Sequence, residues 1–523
     1  MFYIFLREDI QDFKLFMIVN IYYYIKYLFF NYTKLKYRLK SENIILNEIS
    51  DIKSFSISSS HFCKALSELN SAKVVSYYVK IDRHRILVKF LSNILNPFSN
   101  HYIYKSFSDK IIYGFFHRIP NITIFKNIKT KEDLLRVKYK GIKIGDLIYD
   151  EYLARNKVPT IDTQKKEFKL FIKKVEKFIT YWEDYLLNNR VKAVVTSHSV
   201  YLMGLLNRMS IAHNIPTYLV SPDITYRLTK KQFIRWSDQN YYPKQFKKFS
   251  SINKKKILKL SKKNLSYRFD GKKDFRYKQS TSIKAVFDKN IIIKKRYSKK
   301  KENNILIASH CLSDAPHVYG DLLFNDFNDW LNYLGKISLQ NKLKKYKWYI
   351  KPHPAFYKKE LDYYNNFLKK YKKFSMIEPD TTHNFIINEL KIDYVLTVFG
   401  SISYEYPLFG IPVISAGLNP HSGYNFSINP KNIGEYKKIL LNLGSISNKI
   451  NKKEIYQFYG MHHLIDRNFF EDFNMNVQNT HEHQSFNIYT RFVRKIRQNK
   501  IRLKIDIYKN FIRNKKIRRL VKI

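Results

Sequence analysis

Two short polar runs within 348–423 hold the side chains best suited to grip a phosphate ester. A Lys-Pro-His-Pro run offers Lys351 and His353, and a Gly-Ser-Ile-Ser-x-Glu run offers Gly400, Ser401, Ser403 and Glu405. An ammonium, an imidazole and hydroxyls beside the backbone N–H groups of a helix start give positive potential where a departing phosphate builds up charge. A nucleotide-activated sugar releases such a group, and its transfer also requires stabilisation of an oxocarbenium-like sugar. The region is therefore a candidate nucleotide-sugar site. Each residue also has a plainer use. His353, between two prolines, can be a buried residue satisfied by backbone. Gly400 and Ser401 can be only a turn and an N-cap, and Glu405 can complement its own helix start instead of holding a ribose hydroxyl. The coincidence of both runs in one sheet favours the site.

The elements that must position these groups follow from the apolar pattern. Trp348, Tyr349 and Ile350 form a short strand that delivers Lys351 and His353 to its end, and Pro352 and Pro354 bias the backbone away from helix. Residues 394–399 read as a buried strand, Gly400 and Ser401 as a turn, and Ser403 and Glu405 as part of the helix that opens there. IPVISAG is a further strand ending in Gly417, and a polar NPHSGYN loop follows. The βαβαβ periodicity predicts an α/β fold with a parallel, doubly wound sheet, whose ligand crevice lies past the carboxyl ends of the strands.

Upstream, 304–308 reads as the first strand of this C-terminal unit. The SHCLSDAPH loop after it lines the cleft with His310, Asp314 and His317, and LLFNDFNDWL is an amphipathic helix. Its Asp326 and Asp329 are solvated by default, or else turned to the sugar. The spacing of His310, Cys311, Asp314 and His317 allows a metal, but the single Cys and the intervening Pro316 argue against a defined zinc geometry, so none is expected. The N-terminal half repeats the same logic. AVVTSHSVYLMGLL is a strand ending in polar residues before a helix, which makes His198 an acceptor-side candidate for the general base. IPTYLVSPD delivers Ser221 and Asp223 to the same edge, while Asp146 and Asp150 are helix-terminus charges of a kind that is usually structural. His353, His198 and Asp314 are the candidates for catalytic work.

The HP run, the Ser-x-x-x-Glu run and the Gly-x-Pro-Val strand together resemble the capsule polysaccharide synthesis family of GT-B glycosyltransferases, which includes bacterial Kdo transferases. Bacterial sialyltransferases and the CDP-glycerol glycerophosphotransferases of teichoic acid carry related HP and Ser elements. The likeness covers much of 304–425 and extends more weakly to 141–153 and 194–220. It implies two Rossmann-like domains clasping a cleft, and metal-independent transfer from a CMP- or UDP-linked sugar to a glycan or lipid-linked acceptor of a capsular or lipopolysaccharide polymer, with no cofactor. By that resemblance His353 binds donor phosphate or a sugar carboxylate, and Ser401 and Ser403 donate to phosphate. A glycerophosphotransferase using CDP-glycerol is the nearest rival.

At 523 residues, 45% of them hydrophobic, the chain suffices for two cores and appendages. The division expected is an apolar and basic extension over 1–45, an N-terminal Rossmann-like acceptor domain over 46–243 and a Lys-rich connector over 244–302. A donor domain follows over 303–480, then a basic tail over 481–523. Lys and Arg number 95 against 43 Asp and Glu, a net charge of +52 that favours anionic partners. In the tail, Phe492, Ile496, Leu503, Ile507 and Phe511 fall near one helical face among Arg and Lys. That pattern suits a helix on an anionic bilayer, or one docked on the N-terminal domain. Residues 15–30 are apolar but short and interrupted by Lys26, which fits an interfacial or buried helix better than a span.

Cys63 and Cys311 are the two cysteines and offer no disulfide framework. The start does not resemble a cleaved secretory signal, so a cytoplasmic setting, peripheral on the inner face of the plasma membrane, is expected. No Walker loop, GxGxxG, HExxH or paired CxxC occurs, which counts against kinases, dehydrogenases and metalloproteases. The remaining alternative is a basic nucleic-acid binder that stacks bases on its 42 Tyr and 39 Phe. Those rings are spread along the chain at core-like positions and no RRM, KH or OB signature appears, so no specific nucleic acid is expected.

Overall fold

A computed structural model describes residues 42–49, 71–77, 123–220, 225–234, 238–271, 303–354, 359–446 and 450–465, with short pieces between 59 and 70, at 101–103 and at 287. The apolar stretch at 15–30, the basic tail, Ser221 and Asp223 lie outside the described residues.

The N-terminal unit begins with β1 (Ile44–Glu48), β2 (Lys73–Tyr77) and β3 (His101–Ile103). Helix α1 (Lys131–Arg136) follows, opened by a capping box in which Thr130 and Asp133 satisfy each other's backbone N–H. The hairpin β4 (Lys138–Tyr139) and β5 (Ile142–Lys143) leads into α2 (Gly145–Asn156) and α3 (Lys166–Asn188). Then come β6 (Val191–Thr196), α4 (Met203–Ala212), β7 (Thr217–Val220) and β8 (Thr225–Leu228). The sheet order is β3-β2-β1-β6-β7-β8, parallel throughout except for the β7–β8 pair. β1 is buried along its whole length, as strands covered on both faces must be. On α3, Phe168, Phe171, Ile172, Val175, Phe178, Ile179 and Trp182 recur at helical spacing, and this stripe packs into the core that holds Tyr77 and Val194.

Helices α5 (Tyr241–Lys247) and α6 (Ser251–Phe269) come next, α5 across the start of the stretch expected as a Lys-rich connector and α6 inside it. Their lysines face water, while Tyr242, Phe246, Ile257 and Leu265 join Tyr404, Leu408, Tyr424 and Phe458 in one cluster, so this pair forms a wall of the C-terminal unit.

The C-terminal unit runs β9 (Asn304–Ala308), α7 (Phe327–Ile337), β10 (Lys347–Lys351), α8 (Glu360–Lys370), β11 (Phe374–Met376), α9 (His383–Asn388) and β12 (Tyr394–Thr397). It continues with α10 (Ile402–Glu405), β13 (Val413–Ser415), α11 (Ile433–Leu441) and α12 (Lys452–Tyr459). All strands are parallel in the order β11-β10-β9-β12-β13. The doubly wound parallel sheet expected from the sequence is thus present in both halves, the two-sheet plan of a GT-B fold. One local feature differs. The helix opening after Gly400 spans only Ile402–Glu405 before it tightens into a 3₁₀ turn, Tyr406–Phe409, where Pro407 lacks an N–H to continue the ladder and Gly410, at φ 82°, ends it. So short a helix carries little dipole.

Candidate functional site

In a doubly wound sheet the crevice lies where neighbouring strands lead off in opposite directions, which here is between β9 and β12 in one unit and between β1 and β6 in the other. Both points carry polar side chains. After β9, His310 lies between Phe327 and Phe399, with ring centroids 4.5 and 4.4 Å away. Its Nε2 lies 3.4 Å from the backbone nitrogens of Val398 and Phe399, which donate to it, so it ties the end of β9 to the end of β12. Burial pushes its pKa down to about 3, with His353 adding to the effect, and the ring is neutral at any working pH.

The loop from Cys311 to Asp314 is shaped from below by Glu360 at the start of α8. Its carboxylate accepts from the backbone N–H of Leu312 at 3.1 Å and of Ser313 at 3.0 Å, and from the Ser313 hydroxyl at 2.9 Å. Burial, reinforced by Glu360, drives the Cys311 thiol up to about 12, so it stays protonated and is a poor metal ligand. Asp314 emerges exposed at the top of this loop and accepts from the hydroxyl of Tyr201, which belongs to the other unit. Tyr201 holds a left-handed backbone, φ 55°, in the loop after β6. This loop turns tightly because residue 204 is glycine: a Cβ there would sit 2.6 Å from the Ser199 carbonyl oxygen.

At the end of β10, His353 is exposed and Lys351 is buried. Desolvation lowers the His353 pKa; Asp314 opposes that shift and Lys351 adds to it, so these three groups share one neighbourhood. Lys351 donates to the Pro379 carbonyl at 2.5 Å, and burial brings its pKa down to about 8 against the pull of Asp380. It acts on the site through its charge and not as a reaching side chain. Gly400, at φ 116°, turns the chain as only glycine does readily, and its N–H donates to Asn419 at 3.1 Å. Ser401 stands at the helix start, half buried, yet its side chain makes no capping hydrogen bond, so the plain N-cap use is not the one adopted. Ser403 is fully buried, 3.5 Å from the Ser415 hydroxyl, and Glu405 is fully buried against Arg268 of α6 at 2.6 Å. These two support the turn from beneath and do not face the crevice.

In the N-terminal unit, Glu48 ends β1 and Thr196 ends β6. One oxygen of the Glu48 carboxylate accepts from the Thr196 hydroxyl at 2.5 Å and from the Ser197 N–H at 2.6 Å, and lies 3.0 Å from the Ser197 hydroxyl. Ser197 Oγ is in turn 2.8 Å from Nδ1 of His198. Burial raises the Glu48 pKa against the lowering effect of these donors.

Of the remaining acidic and histidine candidates, His317, Asp150 and Asp326 build the contact between the units, while Asp146 pairs within the N-terminal one. His317, expected to line the cleft, is buried instead: its Nδ1 meets Asp150 at 2.6 Å and its N–H meets the other Asp150 oxygen at 3.2 Å. Asp150 is pushed up to about 6 by burial, and its carboxylate holds His317 above the ordinary histidine value although burial pulls that value down. Asp146 forms a buried bidentate pair with Arg208 that keeps its carboxyl low despite burial. Asp326, expected to be solvated, has no exposure at all. It caps α7 through the Asp329 N–H at 2.7 Å and accepts from the Tyr149 and Thr160 hydroxyls, each at 2.5 Å, while Lys131 reaches it at 3.4 Å and Asp329 at 2.8 Å. The His310, Cys311, Asp314 and His317 side chains, read together as a possible ligand set, go to four different partners.

The structure therefore brings His310, Asp314, Lys351, His353 and Ser401 to one sheet edge and His198 to the facing one. Sequence reasoning missed Tyr201, Glu48, Ser197 and Glu360. Ser197 and Tyr201 flank His198 in the same polar loop, which was a usable signal; Glu48 and Glu360 had none.

No family model and no curated protein sequence matches the chain. Solved structures similar to it include the β-Kdo 2,4-transferase KpsC of Thermosulfurimonas dismutans, at 11% identity and a TM-score of 0.32 over 51% of this chain and 79% of that one. The β-Kdo 2,7-transferase KpsC of the same organism aligns at 13% identity and a TM-score of 0.29 over 60% of this chain and 94% of that one. A UDP-GlcNAc 2-epimerase from Neisseria meningitidis bound to UDP-GlcNAc aligns at 10% identity and a TM-score of 0.20 over 80% and 97%.

Proposed function

We propose that this protein is a glycosyltransferase that moves a sugar from a CMP- or UDP-linked donor to a glycan or lipid-linked acceptor during synthesis of a surface polysaccharide. The observation that carries this reading is the contact between Tyr201 and Asp314, because it sets the polar loop after β6 against the polar loop after β9 and so turns two strand-end crevices toward one gap. The HP and Ser motifs, read from sequence, fall on the C-terminal side of that gap and support the assignment.

In this account the donor rests on the C-terminal unit. His353 takes the phosphate or a sugar carboxylate, the Ser401 hydroxyl donates to phosphate, and the Lys351 charge adds field from below. His198 serves the acceptor from the facing unit, and Asp314 with Tyr201 flanks the entrance. The protein's own groups supply the positive potential, so we propose no metal. The basic tail is proposed to hold the enzyme on an anionic membrane surface on the cytoplasmic side. Among the described residues no helix is long and apolar enough to cross a membrane.

A thermal-shift panel tests this reading. One of CMP, CDP or UDP should stabilise the protein selectively and in the presence of salt, by about 2.7 kcal/mol at a hundredfold excess over Kd. Stabilisation by any polyanion, abolished by salt, would point instead to a nucleic-acid binder. A response to CDP-glycerol and to no nucleotide-sugar would favour the glycerophosphotransferase.

A further inference from the structure

The Glu48–Ser197–His198 chain lies at the strand-end crevice of the N-terminal sheet and has a direction built into it. The Ser197 hydroxyl has one proton and two neighbours that can accept it, a carboxylate oxygen at 3.0 Å and an imidazole nitrogen at 2.8 Å. Glu48 is anchored by the Ser197 N–H at 2.6 Å and the Thr196 hydroxyl at 2.5 Å, and it sits in a site with 1% exposure. The oxygen that accepts the Ser197 N–H carries no proton of its own, so it takes the hydroxyl proton as its acceptor. Ser197 Oγ must then accept from the imidazole, which requires the His198 proton on Nδ1 and leaves the lone pair on Nε2.

We infer that Glu48 is a positioning residue which, through Ser197, fixes the tautomer and orientation of His198 so that Nε2 serves as the general base for the acceptor hydroxyl. The inference rests on the transferase reading and adds to it the group that sets the base. In the step that forms the new glycosidic bond, the acceptor O–H proton passes to His198 Nε2 and the acceptor oxygen bonds to the anomeric carbon. The electron pair of the bond broken at that carbon leaves with the departing group. Glu48 exchanges no proton in this step, and its oxygen holds the Ser197 hydroxyl that accepts from the imidazolium. The place is consistent with an acceptor role: three residues further along the same loop, Tyr201 reaches Asp314 across the gap.

Two readouts separate the parts of this inference. The first needs no activity. In full-length protein with ring-labelled histidine, nitrogen NMR assigned by loss of a signal in His198→Gln should show His198 protonated on Nδ1. In Glu48→Leu the acceptor oxygen is gone, the Ser197 hydroxyl turns to donate to Nδ1, and the signal should switch to the Nε2–H form. A wild-type ring protonated on Nε2, or a tautomer that does not change in Glu48→Leu, overturns the chain of hydrogen bonds.

The second readout is turnover with the nucleotide-sugar identified by thermal shift. Glu48→Leu and Ser197→Ala should each lower kcat about a hundredfold, the low end of general-base effects, with the donor KM within twofold. Ser197→Thr, which keeps the hydroxyl, should recover most of the loss. Equal losses in Ser197→Ala and Ser197→Thr, or changes in KM and melting temperature without a change in kcat, would reduce the chain to a structural role and overturn the inference. If the wild-type protein transfers no sugar from any donor, the transferase reading falls and the catalytic role of His198 falls with it, whereas the NMR result still decides the hydrogen-bond chain.

Discussion

Asp326→Ala should be the most damaging single change at the contact between the two units, and its cost can be worked from the bonds it removes. The side chain has no solvent exposure, caps α7, and accepts from two hydroxyls of the other unit at 2.5 Å each. Loss of the cap costs about 1 kcal/mol. Hydrogen bonds to a charged acceptor contribute about 1.5–3 kcal/mol each, and the buried Tyr149 hydroxyl would be left without this acceptor. Relief of the carboxylate's own desolvation offsets part of the sum, and Lys131 retains Asp329 at 2.8 Å. The net expectation is about 3–5 kcal/mol, as for removal of one partner of a buried charged group. Urea unfolding followed by tryptophan fluorescence measures it. Asp326→Asn, which can still cap and still accept, should lose roughly half as much. A loss under about 1 kcal/mol for the alanine variant would refute the view that this carboxylate joins the units.

Two further outcomes follow from the same geometry. Ser401→Ala should leave the melting temperature nearly unchanged, since its hydroxyl caps nothing, while weakening nucleotide affinity by about 1 kcal/mol, roughly fivefold by calorimetry. The reverse pattern would return Ser401 to a purely structural role. His317→Gln should destabilise in a pH-dependent way. The folded His317 pKa lies above the ordinary value of about 6.5, so its protonation stabilises the protein below that pH and the contribution is lost as pH rises through the raised value. The melting-temperature gap between wild type and His317→Gln should therefore shrink from pH 6.5 toward pH 9, and a gap constant over that interval would contradict the Asp150 pairing.

Much of the C-terminal sheet was legible because its strands are continuous apolar runs bounded by polar or turn residues: 304–308 reads directly as β9, and the polar loop after it does reach the crevice. What periodicity cannot supply is the partner of a charge. Asp150 was visible as a helix-end acid and Asp326 as a solvated acid of an amphipathic helix, but their bonds join residues 167 and 177 positions apart, and only the folded chain reveals that both are buried at a contact between units. Glu48 was invisible for the same reason. It ends an ordinary buried strand, and the hydroxyls it binds lie 148 and 149 positions away. Ser403 and Glu405 were misplaced by a shorter-range effect. A longer helix after Gly400 would have presented them near a dipole end, whereas the four-residue turn packs one against Ser415 and the other against Arg268.

Calorimetric titration of CMP, CDP and UDP into wild type and His353→Ala decides whether His353 holds the phosphate of a bound nucleotide. The expected result is one nucleotide bound at one site per chain, a loss of at least tenfold in affinity on replacing His353, about 1.4 kcal/mol or more, and an unchanged melting temperature for the ligand-free variant because that side chain is exposed. Equal affinity in a folded His353→Ala protein, or no nucleotide bound by the wild type, would contradict it.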